Sequence, residues 1–203
     1  MKLALAIGAI VSSLSAVNAQ QFGAYVGYDM VRFNPNLGIS SFSTNGGDAQ
    51  FEYKAYKWLK AVVDVAGVHR GHVSQFKLES TVTSFTAGPR VTLHWHPRIH
   101  PFAQVLVGAN YATASAPVDA STGEMLSPQN PNDAPAVRLS TSHTGFAMYA
   151  GGGLDIHIAK HIAFRPIEAD YYMARLPDEF IVTHSHWNNF RYTAGFNFFW
   201  GRE

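Results

Sequence analysis

Past residue 20 the chain alternates apolar and polar residues in steps of two, and the pattern recurs along nearly its whole length. Alternation at that period puts successive side chains on opposite faces of a β-strand; a helix repeats about every 3.6 residues. The last segment is the clearest. Phe190, Tyr192, Ala194, Phe196, Phe198 and Trp200 share one face, and Arg191, Thr193, Gly195 and Asn197 share the other. Further back, Phe85, Ala87, Pro89, Val91, Leu93 and Trp95 oppose Ser84, Thr86, Gly88, Arg90, Thr92 and His94. Phe146, Met148, Ala150, Leu154 and Ile156 oppose Gly151, Gly153, Asp155 and His157. Shorter runs place Phe51, Tyr53 and Ala55 against Gln50, Glu52 and Lys54, and Ala103, Val105, Val107, Ala109 and Tyr111 against Gln104, Gly108 and Asn110.

Eight segments read this way, at 22–33, 49–56, 58–68, 80–95, 101–112, 145–157, 162–176 and 188–200. Around Pro166 the polar residues Arg165, Glu168 and Asp170 fall out of phase, which predicts a β-bulge, a place where proline is tolerated. Three connections are tight turns, at Lys57, His96–His100 and Ile158–His161. The other four, near 34–48, 69–79, 113–144 and 177–187, are long, and the third is rich in Pro, Ser, Ala and Asn, as in a mobile loop. Short turns at one end and long loops at the other fit a barrel that crosses an outer membrane. Trp58, Trp95 and Trp200 fall at the turn side with Tyr56, while Trp187 marks the opposite rim with Tyr111, Phe33 and Phe146. Two aromatic belts are what a bilayer crossing produces.

Composition agrees. Charged residues are 14% and aromatics 13% of the 203 residues, against roughly 25% charged in ordinary soluble domains. The net charge of +1 argues against a nucleic-acid partner, and the absence of cysteine excludes disulfides, thiol nucleophiles and cysteine-ligated metals. Residues 1–19, MKLALAIGAIVSSLSAVNA, read as a cleaved signal peptide: Lys2, an apolar run from Leu3 to Val11, and Val17 and Ala19 before the cut. Residues 20–203 are then one exported barrel domain. A strand in hydrocarbon must have every N–H and C=O paired, and only a closed sheet achieves this. Eight strands leave an interior filled by side chains. The inward set Asp64, Arg90, Asp155, Arg165, Glu168 and Asp170 carries both signs, and lone buried charges are costly. These residues are therefore expected to pair across the lumen, in a network centred on Arg90. The inward glycines Gly88, Gly108, Gly151, Gly153 and Gly195 leave room either for a ligand path or, more simply, for bulky neighbours and tight strand curvature.

These segments resemble the eight-stranded outer-membrane β-barrel domain family of the OmpA/OmpX-like type. The carriers are GPR at Gly88–Arg90, PFAQVLVG at Pro101–Gly108, GFAMYAGGGLD at Gly145–Asp155, RPIEADY at Arg165–Tyr171 and TAGFNFFW at Thr193–Trp200. The resemblance implies an all-β, antiparallel, up-and-down transmembrane barrel. It also implies that Thr193, Gly195, Phe198 and Trp200 form the insertion signal read by the barrel assembly machinery. Gly201, Arg202 and Glu203 follow where the family often ends on the aromatic, and no peptidoglycan-binding domain is expected. The expected surroundings are outer-membrane lipid and lipopolysaccharide, the expected state a monomer, and the expected role structural, envelope-stabilising or surface-facing, without an open pore.

Catalytic and metal readings are weaker. The ten histidines include the pairs His94/His96 and His184/His186, which lack an adjacent carboxylate; no metal or other cofactor is expected. A lipid A deacylase of this barrel type would place a histidine and a serine two apart on a strand near the membrane surface; the nearest match, His72 with Ser74, falls in a loop without an evident acidic partner, and Ser142 and His143 are merely adjacent. A soluble lipocalin-like carrier would bury its aromatics inside. No catalytic residue is assigned.

Overall fold

The computed structural model describes residues 21–34, 41–73, 78–119, 136–174 and 187–201. Their strands are β1 (Phe22–Phe33), β2 (Phe42–Lys54), β3 (Leu59–Val73), β4 (Leu78–Thr92), β5 (Ile99–Asp119), β6 (Ala136–Ala159), β7 (Ile162–Ala174) and β8 (Trp187–Trp200). Each pairs antiparallel with its neighbour in sequence, and β1 closes on β8 from Phe22↔Trp200 to Arg32↔Phe190. The result is a closed barrel with no free edge.

The alternation sorts the two faces. Val63 and Phe85 face out at 51% and 54% exposure, whereas Arg90, Arg165 and Glu168 face in at 0%. Phe196 and Val91 are also exposed, and Asp155 is buried. This polarity is the reverse of a soluble domain, which puts its greasy residues inside and keeps its charges wet. At the turn end, Tyr56, Trp58, Trp95 and Trp200 are exposed. Trp187 opens β8 opposite Ala174 at the other end. Phe33 departs from expectation: it is buried in the lumen, edge-on to Tyr172 at 6.2 Å, and is not part of the rim.

Strand lengths also exceed what alternation alone suggests. Residues 113–119 and 136–144, expected within a loop, are paired in register through Asp119↔Ala136. Residues 42–48, likewise expected in a loop, pair with β1. The segment 1–19 and residues 120–135 and 175–186 lie outside the described residues.

The bulge around Pro166 changes the phase of β7. Pairing with β8 shifts between Arg165↔Gly195 and Glu168↔Thr193, and pairing with β6 shifts at the same height. Ala163 and Arg165 point inward, and past the shift so do Glu168, Asp170, Tyr172 and Ala174. Residues three apart on a regular strand would face opposite ways. One extra residue, at a proline with no N–H to leave unpaired, lets both charges enter the lumen.

Glycine shapes the wall where strands approach. A Cβ on Gly108 would lie 2.0 Å from the carbonyl oxygen of Phe85, and one on Gly195 would lie 2.2 Å from that of Val26. These sites are filled by neighbouring backbone, so close strand approach, not a ligand path, explains them.

Candidate functional site

The inward rows of the strands build a stack along the barrel axis. Its middle is a hydrogen-bonded ionic plug with two guanidinium hubs. Arg165, on β7 beside the bulge, reaches Asp155 at 2.7 and 3.1 Å, Glu168 at 2.6 Å, Glu52 at 2.9 Å and the Gln50 carbonyl oxygen at 2.8 Å. Its guanidinium lies 4.4 Å from the Tyr25 ring centre and 4.5 Å from that of Phe102. Arg191, on β8, faces Asp29 at 3.2 Å, Asp48 at 2.9 Å and Asp64 at 3.0 Å, over the Tyr149 ring at 4.5 Å. Aromatic faces over desolvated guanidiniums add cation–π attraction to the ion pairs.

Gln50 joins the two hubs. Its amide nitrogen donates to Asp48 and Asp64 at 3.1 Å and to Glu168 at 3.0 Å, while its oxygen accepts from Arg90 and Arg165. Gln104 does the same on the opposite wall, accepting from Arg90 and donating to Glu168 at 2.8 Å and Asp170 at 3.1 Å. Toward the loop ends Tyr149, Tyr172, Phe33, Val68 and Val82 belong to the buried apolar cluster that caps the plug.

Arg90 is not the centre of this network. It binds Glu52 and approaches Glu168 at 3.4 Å, and touches none of Asp64, Asp155 or Asp170. Asp155 and Glu168 gather on Arg165, Asp170 is held by Gln104, and Asp64 turns to Arg191. Asp29, Asp48, Glu52, Arg191, Gln50 and Gln104 join the network beyond the six charges expected in it. Glu52, Gln50, Gln104 and Arg191 were visible on polar faces. Asp48 lies in a stretch of β2 whose sequence lacks alternation, and Asp29 sits on a strand with weak alternation.

The terminal-strand residues divide by face. Phe198 and Trp200 are exposed, while Thr193 is buried and accepts a hydrogen bond from the Tyr25 hydroxyl at 3.1 Å. Gly195 meets Gly27 across the closing seam. Ser142 and His143 are neighbours in β6 and so point to opposite faces; Ser74, and His184 with His186, lie outside the described residues. Among the described residues no group of three or more histidine or carboxylate side chains is placed to hold a metal ion.

No family model and no curated protein matches the chain. Solved structures do. Ail, the attachment invasion locus protein of Yersinia pestis, is 16% identical with a TM-score of 0.58, over 91% of this chain and 100% of that one. Neisserial surface protein A is 12% identical with a TM-score of 0.56, over 87% and 96%. The outer membrane protein OprG from Pseudomonas aeruginosa is 12% identical with a TM-score of 0.52, over 91% and 98%. The fold is that of these eight-stranded outer-membrane β-barrels.

Proposed function

We propose that this chain is a small outer-membrane barrel whose role is structural or surface-facing: it stabilises the envelope or presents its long-loop end for recognition, and it conducts no solute. The observation that supports this most directly is the inverted polarity of the wall. Its apolar belt suits acyl chains, and its lumen is closed by ion pairs in which Arg90, Arg165, Arg191 and Glu168 have no exposure. A lumen filled in this way supports the reading that no continuous water path is open to an ion. On this reading the turns face the periplasm, the aromatic rims sit at the lipid headgroups, and Thr193, Gly195, Phe198 and Trp200 address the chain to the assembly machinery. The neighbours' names point the same way: one is an attachment invasion locus protein, one a surface protein and one an outer membrane protein.

The test is reconstitution into liposomes and planar bilayers. The expected results are a heat-modifiable gel band, tryptophan fluorescence quenched by shallow rather than deep brominated lipid, and no single-channel steps. Steady conductance overturns the sealed-lumen reading, and solubility without detergent overturns the membrane reading. Acyl-chain release from lipopolysaccharide by the purified protein overturns the non-enzymatic one.

A further inference from the structure

Below the plug, at the turn end, the inward rows continue for one more residue and form a cup. Lys54 follows Glu52, Lys60 precedes Val62, His94 follows Thr92, His100 precedes Phe102, His157 follows Asp155 and Phe199 follows Asn197. Together with Gln21 and Lys57 these residues line an open-mouthed cavity of about 480 Å³. Among the described residues no carboxylate lines it. The acid at its floor, Glu52, is already engaged by Lys60 at 2.7 Å, by Arg165 and Asn197 at 2.9 Å, and by Arg90. Lys54 is held by a neutral partner, the Gln21 side-chain oxygen at 3.0 Å, so its charge is uncompensated there.

The imidazoles cluster within the same cup, each ring tilted against the next. His94 and His100 have ring centres 4.8 Å apart, and His100 and His157 are 4.4 Å apart. Three titratable rings that close, beside three ammonium groups, repel one another once protonated. The pKa of His94 is pushed down by burial first and then by Lys54 and Lys60. An anion seated among them removes that repulsion and gains charge-assisted hydrogen bonds from both residue types.

We propose that this cup binds a phosphate group, carried by a small water-borne anion or by a lipid headgroup, with Lys54 and Lys57 supplying fixed charge and the histidines taking up protons as it binds. The groups facing the histidines are Gln21, Lys54, Lys57, Lys60, Thr92 and Phe199; Asp155, which also acts on His100, is engaged by Arg165. Because the cup by itself holds His94 below the ordinary imidazole value, affinity rises as pH falls through about 6 and continues to rise below it. The site needs only the barrel, so its failure leaves the membrane reading standing.

The experiment is titration of the folded full chain, in an uncharged detergent, with inorganic pyrophosphate. Imidazole NMR signals and calorimetry in buffers of different ionisation enthalpy report binding and proton uptake. Expected are shifts of the His94, His100 and His157 signals, net proton uptake, and affinity at least about ten-fold weaker in Lys54→Gln/Lys57→Gln. That double variant leaves Lys60 and the plug intact, and its heat-modifiable gel band verifies folding. A short-chain phosphatidylglycerol competitor separates the sources: displacement of pyrophosphate assigns the seat to a headgroup, and no displacement assigns it to a free anion. Histidine signals indifferent to pyrophosphate, or equal affinity in the folded double variant, overturn the proposal.

Discussion

Replacing Arg165 by methionine isolates the contribution of one hub. Methionine keeps apolar volume beside Tyr25 and Phe102 but removes the charge from three carboxylates. The cost is not three times that of one broken pair. Glu52 retains Lys60 and Arg90, and Glu168 retains Arg90, Gln50 and Gln104. Asp155 is different: Arg165 is its ion-pair partner among the described residues. The expected loss is thus that of one orphaned buried carboxylate, about 3–5 kcal/mol. With m near 1–3 kcal/mol/M, the urea midpoint falls by more than about 1 M. Tryptophan fluorescence of the barrel refolded in detergent micelles follows the transition. Adding Asp155→Asn removes the orphaned charge, so the double variant should recover most of the loss, with a coupling energy of similar size. A single variant costing under about 1 kcal/mol would refute the hub assignment. So would a double variant as unstable as the single one.

Three further substitutions probe the wall. In Gly195→Val the new Cβ would sit 2.2 Å from the Val26 carbonyl oxygen and 2.5 Å from the Gly27 Cα; on refolding into detergent micelles, without the assembly machinery, the β1–β8 seam should fail to close, seen as loss of the heat-modifiable band, while the outward Phe198→Ala retains it. Val63→Arg, on the outer face of β3, should cost about 2–4 kcal/mol in a bilayer if the site lies near the midplane. A water-facing barrel would tolerate it within about 0.5 kcal/mol, so reversible unfolding from liposomes discriminates the two.

The strands that read most plainly from sequence are those in which a single face is aromatic or branched and the other small or charged, as in β4 and β8. Barrel closure, the turn order and the bulge at Pro166 follow from that pattern. The first half of β2, with Ser43, Thr44, Asn45, Gly46 and Gly47, has no such signal. It is a strand because β1 and β3 offer it backbone partners. The choice of hub was hidden for another reason. Alternation tells which face a charge occupies but not its height, and height depends on the stagger between strands around the barrel. Arg90 and Arg165 looked equivalent in sequence; stagger, with the phase change in β7, brings Asp155 and Glu168 to Arg165.

Arg191 has a consequence for biogenesis. Asp29, Asp48 and Asp64 come from the first three strands of the chain, and the cation that faces them arrives on the last. While β8 is absent, three aspartates confront one another without their arginine. Zipping the final seam and bringing a cation into that acidic nest are a single event. The barrel is latched from inside by its own C-terminal strand, and a half-assembled sheet is penalised electrostatically as well as by its open edges.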